Sequence, residues 1–257
     1  NRIVNPETGT AELVVPDIDS DQSVHYGAGI EQYLNDYMLF KIEGFYKDYT
    51  KLNIDTGTYP ERIYENKGLG KSAGVEVMLQ HLAGKNLEGW LTYTFSKTRR
   101  KDVDGWYTPD FDVTHMATVF ADYKLANNDH IISTLKYSTG SPYTPVVSTS
   151  TNPTTGVEEY EIGNRFSKRL SDYFRVDVWY ESDGVQFICP IPFLPISEEK
   201  IFGIFPIFNL KGSTRFGLYN IFNNQSQTGY YWSEKEEKDV FVIDLPRMPV
   251  FGYKLKF

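Results

Sequence analysis

Residues 87–98 read Leu-Glu-Gly-Trp-Leu-Thr-Tyr-Thr-Phe-Ser-Lys-Thr, and within them Leu91, Tyr93 and Phe95 alternate with Thr92, Thr94 and Ser96. A period of two puts the rings on one face of an extended strand and the hydroxyls on the other. The same alternation returns along the chain. Met38, Phe40, Ile42 and Tyr46 oppose Lys41, Glu43 and Lys47; Phe174, Val176, Val178 and Tyr180 oppose Arg175, Asp177, Trp179 and Glu181. Near the end, Phe251, Tyr253, Leu255 and Phe257 oppose Gly252, Lys254 and Lys256. The chain is therefore expected to be all-β, with strands near 23–34, 37–50, 71–82, 88–98, 113–124, 129–139, 173–186, 208–222 and 248–257.

Several of these strands reach ten residues or more, the length a tilted strand needs to cross a bilayer. Connections after the first, third and fifth strands are short: Asn35-Asp36, then residues 83–87, then 125–128. Those after the second, fourth, sixth and eighth are long and polar, roughly 51–70, 99–112, 140–172 and 223–247. A rim of tight turns opposite a rim of long loops is the pattern of an outer-membrane barrel, with its turns in the periplasm and its loops outside. An inward row of Lys, Glu, Arg and Asp is costly in a dry core and acceptable in a wet or plug-filled lumen. A soluble antiparallel sheet with one wet face shares the alternation; strand length and loop parity favour the barrel.

Composition agrees. Aromatics make up 16% of the 257 residues, yet the mean hydropathy is -0.41, which suits strands apolar on one side only. No run of 18 apolar residues exists to form a membrane-spanning helix. The net charge of -8 argues against nucleic acid as a partner. The single cysteine, Cys189, forms no internal disulfide and reads as apolar filler. The opening Asn-Arg-Ile-Val, without a Met or a signal peptide, suggests a mature or internal piece of a longer protein.

Other motifs dissolve on inspection. Gly70-Lys71-Ser72 matches the end of a phosphate loop, but Glu65 stands where the first glycine belongs, and Val75, Val77 and Leu79 continue as a strand rather than a helix. His25, His81, His115 and His130 lack metal-ligand spacing, no nucleophile elbow is present, and no enzyme activity, cofactor or metal is expected. Asp102, Asp104, Asp110 and Asp112 crowd one outer loop without the spacing of a calcium hand, and read as a solvated acidic loop. In that loop Trp106, Tyr107 and Asp110 are the candidate ligand-binding residues, the rings suited to stacking or to anchoring at the lipid interface. Tyr143, in Ser-Pro-Tyr-Thr-Pro, reads as loop-shaping. Segment 187–207 breaks the parity, being long and apolar with prolines at 190, 192, 195 and 206; it reads as an overshooting hairpin, or as a docking site for a periplasmic partner.

Together YLNDYMLFKIEGFYKDYTKL (33–52), YENKGLGKSAGVEVMLQ (64–80), LEGWLTYTFSKTRR (87–100), DFDVTHMATVFADYKL (110–125), STGSPYTPV (138–146), LYNIFNNQ (218–225) and the terminal Phe resemble the C-terminal barrel region of TonB-dependent outer-membrane receptors, especially those of the Bacteroidota type. Gly68, Gly70 and Gly74 then mark the entry into a strand after an outer loop. The resemblance implies a barrel of about 22 strands around an N-terminal plug, of which these nine would be the fourteenth to the twenty-second. Residues 1–22 would be an outer loop segment and 23–257 barrel wall.

The resemblance further implies active transport into the cell from the bacterial outer membrane. Outer loops would capture the ligand, and the TonB complex would act through a plug that this chain lacks. Implied partners are outer-membrane lipid, an N-terminal barrel and plug portion in the same or a separate chain, and the barrel-assembly machinery. The last would read Gly252, Leu255 and Phe257, although Val250 stands where that signal often has a polar residue. Lys41, Glu43, Arg175 and Asp177 would face the lumen, toward plug or ligand path. The alternative is a C-terminal barrel half serving as an assembly intermediate or as one chain of a split barrel, without transport of its own. Nine antiparallel strands cannot close on themselves, so an exposed edge, or pairing with another polypeptide, is expected.

Overall fold

In a computed structural model the described residues are 2–4, 11–13, 18–56, 63–82, 84, 86–154, 156, 158–187, 210–233, 235–236 and 238–256. Phe257, Cys189 and segment 187–207 beyond Phe187 lie outside them, so the readings placed there are not addressed by the fold.

Nine long strands form one antiparallel path in which each pairs with its neighbours in sequence. They are β1 (Gln22–Asn35), β2 (Met38–Asp55), β3 (Tyr64–His81), β4 (Leu87–Asp102), β5 (His115–Lys124), β6 (His130–Ser138), β7 (Tyr173–Phe187), β8 (Leu210–Tyr219) and β9 (Met248–Lys256). A short tenth strand, Gly105–Tyr107, folds back on the end of β4. β1 and β9 are the two ends of the path and do not pair with each other.

The register carries the alternation from strand to strand. Ile42 pairs with Ile30 and Val77, Val77 with Tyr93, and Leu91 with both Leu79 and Val119. Leu135 lies between Val119 and Val176, Val178 opposes Leu218, and Phe216 lies between Tyr180 and Phe251. Since paired residues point to the same side of a sheet, these side chains make one continuous apolar face. The opposite face runs Lys41, Glu43, Glu76 and Thr94 through Thr92 and Thr118 to Lys136, Arg175 and Asp177. A one-residue slip in any strand would put charge among the rings and rings among the charge, so the pattern itself fixes the register.

Among the described residues much of the apolar face is accessible: Ile30, Leu91, Phe216 and Phe251 are 40–68% exposed, whereas Val176 is 9% exposed. On the polar face, large rings lie flat over glycines of the next strand. A Cβ on Gly217 would stand 2.4 Å from the Trp179 ring, and one on Gly74 would stand 2.6 Å from the Phe45 ring, so both positions admit only glycine if these rings are to keep their places.

The tight-turn rim is held locally. Asp129 in the turn before β6 accepts hydrogen bonds from the Tyr180 hydroxyl and the Asn127 amide. The bond from Tyr180, followed by one from Ser182, lowers its carboxyl below the ordinary range. The His81 ring meets the Leu87 carbonyl at 2.8 Å across the turn before β4.

On the other rim the expected loops hold more strand than the alternation foretold. β2 and β3 run 18 residues each, about 59 Å of chain at ~3.3 Å per residue and roughly twice a tilted membrane crossing. Residues 51–55 and 64–70, read as loop, continue the ladder through two register shifts. Lys51 takes a positive φ of 55° there, and Leu52, 4% exposed, packs over Gly68 and Gly70. Gly68, Gly70 and Gly74 therefore lie inside β3 rather than at its entry. Within residues 1–22, Arg2–Val4 pairs with Ala11–Leu13. Gly70-Lys71-Ser72 is plain strand, with Ser72 Oγ 3.0 Å from Thr98 Oγ1.

Leu91 is the centre of the five-residue apolar row from Leu87 to Phe95, and Thr92 is its polar-face neighbour. In the intact barrel, Leu91→Arg is expected to cost about 2–4 kcal/mol of folding stability, and Thr92→Arg less than about 1 kcal/mol, by denaturant titration of folding into vesicles. Equal costs would contradict the two-faced wall.

Candidate functional site

The long connections are cross-tied into a polar layer above the wall. Its first tie is Asp112, 3% exposed. The carboxylate accepts from the Thr98 backbone N–H at 2.7 Å, the Thr114 hydroxyl at 3.3 Å and Arg169 Nη2 at 2.6 Å. Arg169 also donates to the Asp112 and Gly140 carbonyls at 3.1 and 2.9 Å. Gly140 is required, because a Cβ there would lie 1.8 Å from the Leu170 carbonyl oxygen. Beside it Arg165 pairs with Asp102 and lies 3.7 Å over the Tyr107 ring, itself stacked on Phe166 at 5.9 Å.

The second tie belongs to the Leu-Tyr-Asn-Ile-Phe-Asn-Asn-Gln segment. Asn220, 1% exposed, takes a positive φ of 50°, which asparagine tolerates better than most residues. Its N–H donates to Asp177 at 2.8 Å, and its amide to the carbonyls of Asn224 and Leu245 at 2.8 and 2.9 Å. Arg175 brackets the same carboxylate, its Nε 3.0 Å from each oxygen, and reaches Asp244 at 3.6 Å. The third tie is aromatic: Tyr143, 6% exposed, packs 4.4 Å from Tyr230 and 6.0 Å from Phe241. These two belong to a hairpin of Gln227–Ser233 and Lys238–Ile243. Loop 140–172 holds small sheets of its own, Val146–Thr151 with Glu158–Ile162 and Pro142–Tyr143 with Lys168–Arg169.

The sequence candidates separate in space. Arg175 and Asp177 bond to each other and to the Asn220 turn; Lys41 and Glu43 sit 3.9 Å apart, half exposed. Trp106 stands beside the Lys71 ammonium, 5.8 Å away, whereas Tyr107 turns toward Arg165. Asp110 is exposed. The acidic loop is not uniformly solvated as expected: Asp104 and Asp110 face water, while Arg165 covers Asp102 and Arg169 covers Asp112, because two cations 63 and 57 residues away fold over them. Gly252 lies in β9 opposite Arg215, and Leu255 opposite Gly212.

Among the described residues no group of three or more His, Cys, Asp or Glu side chains is placed to hold a metal. His115 shares a hydrogen bond with the Tyr93 hydroxyl at 2.8 Å, and His130 lies 2.7 Å from Asp122. His25 packs edge-on against Tyr49.

Asp112→Ala removes the acceptor that three donors share, a change expected to cost about 1–3 kcal/mol. Amide hydrogen exchange in the intact protein is expected to quicken in residues 140–171 while the centre of β4 stays protected. Unchanged exchange in that loop would show that Asp112 does not hold it.

No protein-family model matches this sequence. No curated protein matches it either. Solved structures do. The ferric-catecholate import receptor Fiu of Escherichia coli K12 aligns with a TM-score of 0.59 at 12% identity, over 94% of this chain and 28% of that one. The outer-membrane ferripyoverdine receptor of Pseudomonas aeruginosa gives 0.58 at 15%, over 92% and 27%, and the FrpB iron transporter of Neisseria meningitidis 0.58 at 14%, over 95% and 32%. These are receptors and transporters, not enzymes, and the chain spans about 28% of the length of the first. Its fold is that of a partial barrel wall of the TonB-dependent outer-membrane receptors.

Proposed function

We propose that this chain is the C-terminal barrel wall of an active transporter in the bacterial outer membrane. The observation that carries the reading is the in-register division of the sheet into an apolar and a charged face. A soluble sheet buries its apolar face against a second layer; among the described residues no second layer lies against that face, and Ile30, Leu91, Phe216 and Phe251 stand open on it. The likeness to outer-membrane receptors over more than nine-tenths of the chain supports the same placement.

In this reading residues 23–257 are the fourteenth to twenty-second of about 22 strands, with 1–22 in an outer loop. The rest of the barrel and a plug complete the lumen and couple it to the TonB complex. Lys41, Glu43, Arg175 and Asp177 line that lumen. Arg175 and Asp177 also tie the Asn220 turn, so they shape the outer mouth. Tyr107 and Asp110 stay with ligand capture on the outer rim, while Trp106, beside Lys71, serves the membrane side. Gly252, Leu255 and Phe257 present the final strand to the assembly machinery.

Orientation is testable in cells. With Cys189→Ser as background, Asp110→Cys in the intact protein is expected to react with a membrane-impermeant maleimide. Asn127→Cys, in the opposite rim, is expected to react only after the outer membrane is permeabilised. The reversed pattern, or recovery of the protein in the soluble fraction, would overturn the reading.

A further inference from the structure

The apolar face does not stay apolar to its outer end. On β4 the row Leu87, Gly89, Leu91, Tyr93, Phe95 continues with Lys97, Arg99 and Lys101. On β3 the row Leu79, Val77, Val75, Ala73 continues with Lys71. Register places these continuations side by side: Ala73 opposes Lys97, Lys71 opposes Arg99, and Leu69 opposes Lys101. Leu87 to Phe95 is nine residues, the span a tilted strand needs to cross the hydrocarbon. Four cations therefore begin where the hydrocarbon ends, on the side facing lipid rather than lumen.

Two adjoining depressions occupy this place. The upper, about 370 Å³, is lined by Lys71, Ala73, Lys97, Arg99 and Trp106. The lower, about 660 Å³, lies between Tyr26, Tyr46, Val75 and Phe95 over a floor of small residues, including Ala28, Gly44 and Ala73. Ala73 and Lys97 belong to both. Lys71, Lys97, Arg99 and Lys101 are exposed, and none is held in an ion pair among the described residues. The carboxylate nearest in register is Asp48, opposite Lys71.

We infer that this is a binding site for a phosphorylated acyl lipid of the outer leaflet, on the outside of the wall. The cations would hold phosphate in the upper depression by charge-assisted hydrogen bonds, and their stems snorkel along apolar surface to reach it. Trp106 stands at the headgroup level, where its amphipathic ring is suited to the interface. An acyl chain would lie in the lower groove, which the small residues keep open. Charge complementarity selects this occupant. A neutral lipid leaves four cations with only Asp48 as a counter-charge in register, and a soluble anion leaves the groove unfilled. The site rests on the membrane placement proposed above.

The test uses the intact protein in detergent, titrated with diphosphoryl lipid A and followed by native mass spectrometry. The triple substitution Lys71→Gln, Lys97→Gln and Arg99→Gln is expected to weaken retention at least about tenfold. Gly44→Leu, whose new side chain enters the groove without a backbone clash, is expected to weaken it with the cations intact. Unchanged retention in the triple variant, equal retention of dephosphorylated lipid A, or displacement by inorganic phosphate alone would overturn the site. A fluorophore on Ala28→Cys, in vesicles containing brominated lipid, separates the two claims. Quenching with unchanged lipid retention removes the site and leaves the wall. No quenching removes both.

Discussion

In hydrocarbon no water is present to satisfy a backbone N–H or C=O, so every strand that crosses it must be paired along its length. In the proposed membrane placement that constraint governs the rest of this structure. Pairing fixes which residues stand opposite one another, and a period of two then forces each strand to choose the same outward face as its neighbour. Ile42, Val77 and Tyr93 share a row because the ladder leaves them no alternative. The charged residues between them are confined to the other side by the same ladder. Lys41, Glu76, Arg175 and Asp177 would be prohibitively costly against lipid tails; facing an aqueous or plugged lumen they are ordinary.

Beyond the proposed membrane span the constraint relaxes, and side chains take over from the ladder. Loop 140–172 is joined to the β4 end through Arg169 and Asp112, and the turn after β8 to β7 through Asn220 and Asp177. Both ties consist of a nearly buried carboxylate satisfied by several donors, the condition under which a buried charge is tolerated. They turn long polar connections into a shaped rim. Such a rim presents rings and charge from fixed positions, and in the proposed role its rigidity would reduce the ordering cost of holding a ligand.

Strands and their order were legible in the sequence wherever apolar and polar residues alternate and the turns are short, as from Leu87 to Thr98. Residues 51–55 and 64–70 were not, because Asn53, Asp55, Asn66 and Lys67 carry no apolar period. Their pairing depends on bulges and on Leu52 packing over glycine, which spacing alone does not reveal. Arg175 and Asp177 were legible as one face but not as partners of Asn220, 43 residues from Asp177. Asp112 read as solvated for the same reason: the cation that covers it is distant in sequence. The cations at the end of the apolar face did leave a signal, since Lys97 and Arg99 fall on the parity of Tyr93 and Phe95. It acquires meaning only once register sets Lys71 beside Arg99.

The central claim is that odd and even positions of one strand meet different solvents. Spin labels placed singly at residues 90–96 of the intact protein in vesicles test it most directly, through their collision rates with oxygen, which concentrates in lipid, and with a water-soluble nickel chelate. The account predicts a period of two, with oxygen favoured at 91, 93 and 95 and nickel at 90, 92, 94 and 96. Uniform access to the nickel chelate at every position would contradict it.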